Sequence, residues 1–134
     1  MPDEPHGSKT ILLVEDEESL RRVIRKLLDT SGYTVLDAAN SGEALVLATE
    51  HADEIDLVIA DLALPDVMGP KLLTLVRAQR PDVPAIYISG YADESLIHGW
   101  LTDNDRFLAK PFAWAALTET IGELIGGNGR TRAR

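Results

Sequence analysis

The sequence predicts an α/β domain, a parallel β-sheet covered by helices on both faces. Three observations carry this prediction. Ile11-Leu12-Leu13-Val14, Leu57-Val58-Ile59-Ala60 and Ala85-Ile86-Tyr87-Ile88 are short continuous apolar runs, the form of strands buried on both sides. Between them lie stretches with apolar residues at helical spacing. The alternation is strict, giving five β–α units across 10–125 with no internal repeat, and this implies parallel strands joined by helical crossovers.

Each element has its own signal. After the run at 11–14, Leu20, Val23, Ile24, Leu27 and Leu28 recur at the spacing of one helix face. That face is expected to meet the sheet, leaving Arg21, Arg22, Arg25 and Lys26 outward. The helix stops near Ser31-Gly32, where glycine takes the left-handed cap. Residues 33–38 form the second strand, and Ser41 is the expected N-cap of a helix carrying Ala44, Leu45, Leu47 and Ala48. The run at 57–60 ends at Asp61; beyond the LPDVMG loop, Leu72, Leu73, Leu75 and Val76 mark a third helix closed by Arg80-Pro81. The run at 85–88 ends at Ser89-Gly90. A weaker helix over 93–101, a short strand over 106–109 and a last helix over 114–125 complete the pattern.

Composition bounds the function. The 134 residues make one domain, 10–125, with tails at 1–9 and 126–134 whose polar and Gly-rich makeup predicts disorder. At 45% hydrophobic and 26% charged the chain is globular, and a domain of this size buries roughly two-thirds of its unfolded surface. The absence of cysteine excludes disulfides, thiolate zinc sites and thiol catalysis. No apolar run approaches the ~20 residues that cross a bilayer, and MPDEPHGSKT is no signal peptide. A cytoplasmic protein without membrane contact is expected. Net charge is −9 for the chain and −11 for 10–125, which carries 9 basic and 20 acidic residues, so direct binding to nucleic acid is not expected. Arg130, Arg132 and Arg134 read as a solvated end.

Functional groups in such sheets collect outside the carboxyl ends of the strands. There the first run exits into Glu15-Asp16-Glu17-Glu18, the second at Asp61, the third at Ser89 and the last strand at Lys110-Pro111. Glu17 and Glu18 are ordinary first-turn acids that favour the helix dipole. Glu15, Asp16 and Asp61 together store repulsion that a hard divalent cation, best Mg2+, would neutralise. A lysine and a hydroxyl opposite the metal complete a cradle for a phosphoryl group. Pattern alone therefore suggests a metal-assisted phosphoryl site with an aspartate nucleophile.

The motifs ILLVEDE, DLVIADLALPDVMG, IYISGYA and RFLAKPF resemble, in order and spacing, those of the receiver domain of two-component response regulators, and the resemblance spans about 10–125. It implies a flavodoxin-like (βα)5 sheet of strand order 2-1-3-4-5. It implies that Asp61 is the phosphoacceptor and that Mg2+ is held by Glu15, Asp16, Asp61 and the backbone carbonyl of Ala63. Ser89 matches the switch hydroxyl, Lys110 its partner lysine and Phe107 the aromatic switch. Pro111 matches a proline usually preceded by a cis bond, and Gly69 the turn glycine after the acceptor loop. The implied activity is phosphoryl transfer from a phosphohistidine onto Asp61, then self-catalysed hydrolysis, with the signal leaving through the surface of the fourth helix, fifth strand and fifth helix. Histidine kinases or histidine phosphotransfer domains are the implied partners, acting on a monomer or a weak phosphorylation-dependent dimer.

The sequence departs from the family pattern in places. The acidic pair is Glu-Asp rather than Asp-Asp, and Met68 stands where an acid is frequent. Ala63 and Tyr91 occupy positions that tune dephosphorylation. An aspartate-nucleophile phosphatase of the haloacid dehalogenase type has a similar layout but needs a second aspartate where Ala63 stands; a nucleotide-binding domain would need a Gly-rich turn in place of Glu15-Asp16-Glu17. A passive phosphate store is a further alternative. Three parent chains fit: a stand-alone regulator, the receiver of a hybrid histidine kinase, whose wording ISGYA and FLAKPF resemble, and a receiver joined to a DNA-binding domain. His6, His51 and His98 read as solvated surface, and Trp100 and Trp114 as packing or interface residues.

Overall fold

The computed structural model describes residues 8–90, 99 and 101–126 of the chain. The elements in chain order are β1 (Thr10–Val14), α1 (Glu18–Thr30), β2 (Thr34–Ala38), α2 (Ser41–Glu50), β3 (Ile55–Asp61), α3 (Gly69–Arg77), β4 (Ala85–Ser89), β5 (Asp105–Ala109) and a C-terminal helix α4 (Trp114–Ile125). All pairings are parallel and the order is β2-β1-β3-β4-β5, as expected. The expected helix over 93–101 lies outside the described residues apart from 99 and 101. The tails also lie outside apart from 8, 9 and 126, as do His6, Tyr91, His98 and Trp100.

Strand alternation sorts the core into two layers. Leu12, Val14, Val58, Ala60, Ala85 and Tyr87 meet Ala44 and Ala48 of α2 and Leu72, Leu73 and Val76 of α3. Ile11, Leu13, Leu57, Ile59, Ile86 and Ile88 meet Ile24 and Leu28 of α1 and Leu117 and Ile121 of α4. Fully burying each of the Val, Leu and Ile side chains among these contributes about 1.5–3 kcal/mol. Burial on both sides is why the strands read as unbroken apolar runs. Gly32 takes φ 99° after α1 and Gly126 φ 78° after α4, the left-handed caps that end those helices.

Three local expectations need correction. Val23 does not face the sheet: it is 54% exposed, because α1 meets the strands through Ile24 and Leu28 while Leu20 and Leu27 are half-buried. Ser41 is the first helical residue of α2, not its N-cap; the cap is Asn40, whose side chain accepts from Glu43 N at 2.9 Å. Helix α3 ends at Arg77, before Pro81, and its expected core residue Leu75 is 38% exposed.

At the amino edge of the sheet, Asp105 is buried and compensated. Its carboxylate accepts from Arg77 Nη2 (2.6 Å), Thr102 N (2.9 Å) and Thr102 Oγ (3.2 Å). Arg77 also donates to Val83 O through Nε and Nη2. This pair ties α3 to the start of β5 and satisfies a charge that would otherwise be costly. Nearby Tyr87 has its phenol pushed up to about 12, first by burial and then by the Asp105 charge.

Candidate functional site

Four turns converge at the carboxyl edge of the sheet. Asp61, the last residue of β3, is 6% exposed and gripped from two sides: Lys110 Nζ donates to Oδ2 (2.8 Å), and Ala63 N donates to Oδ1 (2.9 Å). Lys110 arrives from the end of β5 through Lys110 N–Ser89 O (2.8 Å), and the Lys110–Pro111 peptide bond is cis, as the resemblance implied. Ser89 closes β4 and is buried opposite Ala109 in register.

Glu15 follows β1 and is fully buried. Its N–H donates to Ala38 O (3.0 Å), and its Oε2 accepts from Glu17 N (3.0 Å). Oε1 lies 3.0 Å from Lys110 Nζ as an ion pair but lacks a partner in hydrogen-bond geometry. Burial pushes this carboxyl above its ordinary value and the Asp61 charge adds to the rise, against the opposing pull of Glu17 N and Lys110. Lys110 is held above its ordinary value. Burial of the ammonium is the largest single influence and works downward, but Asp61 and Glu15 together outweigh it.

Glu15, Asp16 and Asp61 each offer an oxygen within 4.8 Å of the others, with Asp16 exposed and the other two buried. An all-oxygen set with one buried, unsatisfied carboxylate oxygen fits a hard divalent cation.

The structure therefore brings together Glu15, Asp16, Asp61, Ala63, Ser89 and Lys110. Phe107 lies three residues before Lys110, half-buried against the layer that contains Tyr87, its register partner on β4. Gly69 is required by close approach: a Cβ there would stand 2.8 Å from Asp61 O.

Two residues were missed. Arg21, expected to face solvent, is largely covered; Nη1 donates to Glu15 O (2.9 Å) and Nε to Asp37 Oδ2 (3.2 Å), so it fixes the backbone of the acidic turn. Arg25 reaches the same Asp37 at 2.5 Å. Asp66 ties the acceptor loop to α2. Neither contact has a sequence signal, since both partners lie on other elements. His51, expected to be solvated, is paired with Glu54 at 2.8 Å. Trp114 is half-buried and lines a groove of about 450 Å3 with Leu20, Val23, Ile24, Leu27 and Phe112, which Lys110 and Pro111 also line.

Comparison with known proteins agrees with this geometry. Residues 11–122 match the family model of the response regulator receiver domain. The sensor kinase CckA of Brucella abortus (strain 2308) is 39% identical over 120 residues, covering 89% of this chain but 13% of the kinase. The polar-differentiation response regulator DivK of Brucella anthropi is 29% identical, covering 88% of this chain and 97% of DivK. The chain spans 25% of the transcriptional regulator DctD of Rhizobium meliloti and 52% of CssR of Bacillus subtilis. Among solved structures, the receiver domain of the hybrid histidine kinase CckA superposes with a TM-score of 0.76 at 38% identity, covering 87% of this chain and 98% of that one. A receiver domain from Clostridium thermocellum gives 0.81 at 29% identity, covering 87% and 94%. The chain belongs to the response regulator receiver domain family of two-component systems.

Proposed function

We propose that the chain accepts a phosphoryl group from a partner's phosphohistidine onto Asp61 and later releases it as inorganic phosphate. The observation that carries this reading is the single carboxylate at the end of β3, held between Lys110 Nζ and Ala63 N beside two further acids. A carboxylate oxygen of Asp61 attacks phosphorus, an O–P bond forms as the P–N bond breaks, and the imidazole nitrogen keeps the electron pair and takes a proton. Water later attacks phosphorus, the O–P bond to Asp61 breaks with its electron pair staying on the carboxylate, and the phosphoryl group leaves as inorganic phosphate. Glu15, Asp16, Asp61 and the Ala63 carbonyl would hold Mg2+, which would supply neutralisation of the phosphoryl oxygens and of the charge cluster. Lys110 is already placed to leave Asp61 Oδ2 for a phosphoryl oxygen, and Ser89 supplies a hydroxyl on the neighbouring strand.

The phosphatase alternative lacks its general acid. Asp66 is the one other carboxylate in 62–68, and its oxygens accept from Ser41 N, Gly42 N and Val67 N. The apolar groove between α1 and the Pro111–Trp114 turn adjoins Lys110, which suits it to a helical phosphodonor domain that must bring a histidine to Asp61. Likeness to the CckA receiver favours a relay from a histidine kinase or histidine phosphotransfer domain, in the cytoplasm, with the chain acting as a monomer or a weak phosphorylation-dependent dimer. No helix among the described residues is long and apolar enough to cross a membrane. The test is labelling by acetyl phosphate with Mg2+. Wild type should take up acid-stable, base-labile phosphate and Asp61→Ala none; equal labelling of the two proteins removes Asp61 as acceptor.

A further inference from the structure

The loop that leaves β3, residues 62–68, carries Ala63 and is fixed at its base and at its tip. At the base, Leu62 N donates to Ile88 O (2.8 Å) and Gly69 N to Leu62 O (2.9 Å). At the tip, Asp66 reaches a different helix. Its Oδ1 accepts from Ser41 N (2.9 Å) and Val67 N (3.0 Å), and its Oδ2 from Gly42 N (3.0 Å). Ser41, itself buried, returns a bond from Oγ to Val67 O (3.0 Å), so the contact is built from both sides.

The first turn of α2 also has its own cap. Asn40 Oδ1 takes Glu43 N and Asn40 O takes Ala44 N, which leaves the amides of Ser41 and Gly42 to Asp66. A carboxylate at a helix N-terminus is held there by charge as well as by hydrogen bonds, and those bonds, Ser41 N first, keep this one below its ordinary value. Helix α2 packs on the strand layer beside α3, so it is an anchor for the loop rather than a passenger.

We propose that Asp66 is a positioning residue of the acceptor site, clamping loop 62–68 to α2 so that the Ala63 backbone is held against Asp61. Its importance rests on the acceptor reading of Asp61, because Ala63 N–H bonds that carboxylate and Ala63 carbonyl is a proposed metal ligand. Two readouts test it: hydrogen exchange of the Ala63 amide in metal-free protein, and Mg2+ affinity by calorimetry. The proteins are wild type, Asp66→Ala, Asp66→Asn and Asn40→Ala, the last removing a cap from the same helix without touching the loop. Asp66→Ala should speed Ala63 exchange about tenfold and weaken Mg2+ binding about threefold to tenfold. Asp66→Asn, which keeps one acceptor oxygen, should restore part of both. Asn40→Ala should change neither, although it lowers the melting temperature. Wild-type exchange and Mg2+ affinity in Asp66→Ala, or equal changes in Asn40→Ala, would reduce Asp66 to a helix cap. A wild type that neither binds Mg2+ nor labels at Asp61 would instead remove the acceptor reading, while the exchange comparison still decides the clamp.

Discussion

At the scale of single residues, the site is governed by which carboxylate is buried. Glu15 is fully buried whereas Asp16 is exposed, so the desolvation cost of the acidic pair is concentrated on Glu15. Glu15→Gln keeps an oxygen to accept from Glu17 N and removes the charge. The metal-free variant should melt higher at neutral pH, by roughly 3–5 °C for about 1 kcal/mol relieved, and should bind Mg2+ more weakly. The sign follows from a carboxyl whose folded pKa lies above its ordinary 4.5: ionisation costs the fold stability as pH rises past that value, and the cost vanishes below it. The melting advantage should therefore disappear in acid. Thermal melts of both proteins with EDTA, across pH, check this; a variant that melts lower at neutral pH would mean that the Lys110 ion pair outweighs the burial.

At the scale of elements, helix α1 shows what could be read and what could not. Its spacing of Leu20, Val23, Ile24, Leu27 and Leu28 located the helix, as the apolar runs located the strands, because burial on one face writes a period into the sequence and burial on both writes an unbroken run. The same spacing does not say what covers each part of the stripe. Ile24 and Leu28 go to the sheet, while Val23 is left exposed beside a groove formed by a turn almost ninety residues later. Arg21 departs from its expected outward position for the converse reason, since its partners Glu15 O and Asp37 are set by chain crossing rather than by period. Likewise nothing local in LPDVMG announces that Asp66 belongs to α2. The acceptor cluster was legible because each member stands at or just past the end of a strand, where topology gathers the strand ends onto one edge. If Val23 is a docking residue, Val23→Glu should slow transfer from the cognate phosphodonor domain about tenfold or more. Acetyl phosphate labelling and melting temperature should stay unchanged, because the side chain packs little within this molecule. Slowing of both reactions would point to a damaged fold, and slowing of neither would remove the groove from the interface.

At the scale of the whole molecule, the question is how charge at one edge of the sheet reaches a surface. A phosphoryl group on Asp61 brings nearly two negative charges toward Lys110, which now divides itself between Asp61 and Glu15. Redirecting that ammonium and the Ser89 hydroxyl perturbs the carboxyl ends of β4 and β5 first, since Lys110 N is bonded to Ser89 O. The amino end of β5 is differently built. Asp105 is buried and bonded by Arg77 and Thr102, an ion pair whose disruption would leave an uncompensated charge. Phe107 lies between the two ends, half-buried, and carries no hydroxyl that would need a partner in either packing. Strand β5 should thus respond as a lever fixed at Asp105 and free at Lys110, with the Phe107 ring repacking between them. A few kcal/mol of differential contact is enough to shift such an equilibrium. Amide chemical shifts with beryllofluoride and Mg2+ should therefore change most at Ala109 and Lys110, clearly at Phe107, and least at Asp105 and Arg106. Arg77→Lys, which loses the two-nitrogen hold on Val83 O, should spread the changes toward Asp105. Shifts confined to the turns around Asp61, with Phe107 silent, would make the domain a phosphate store rather than a switch.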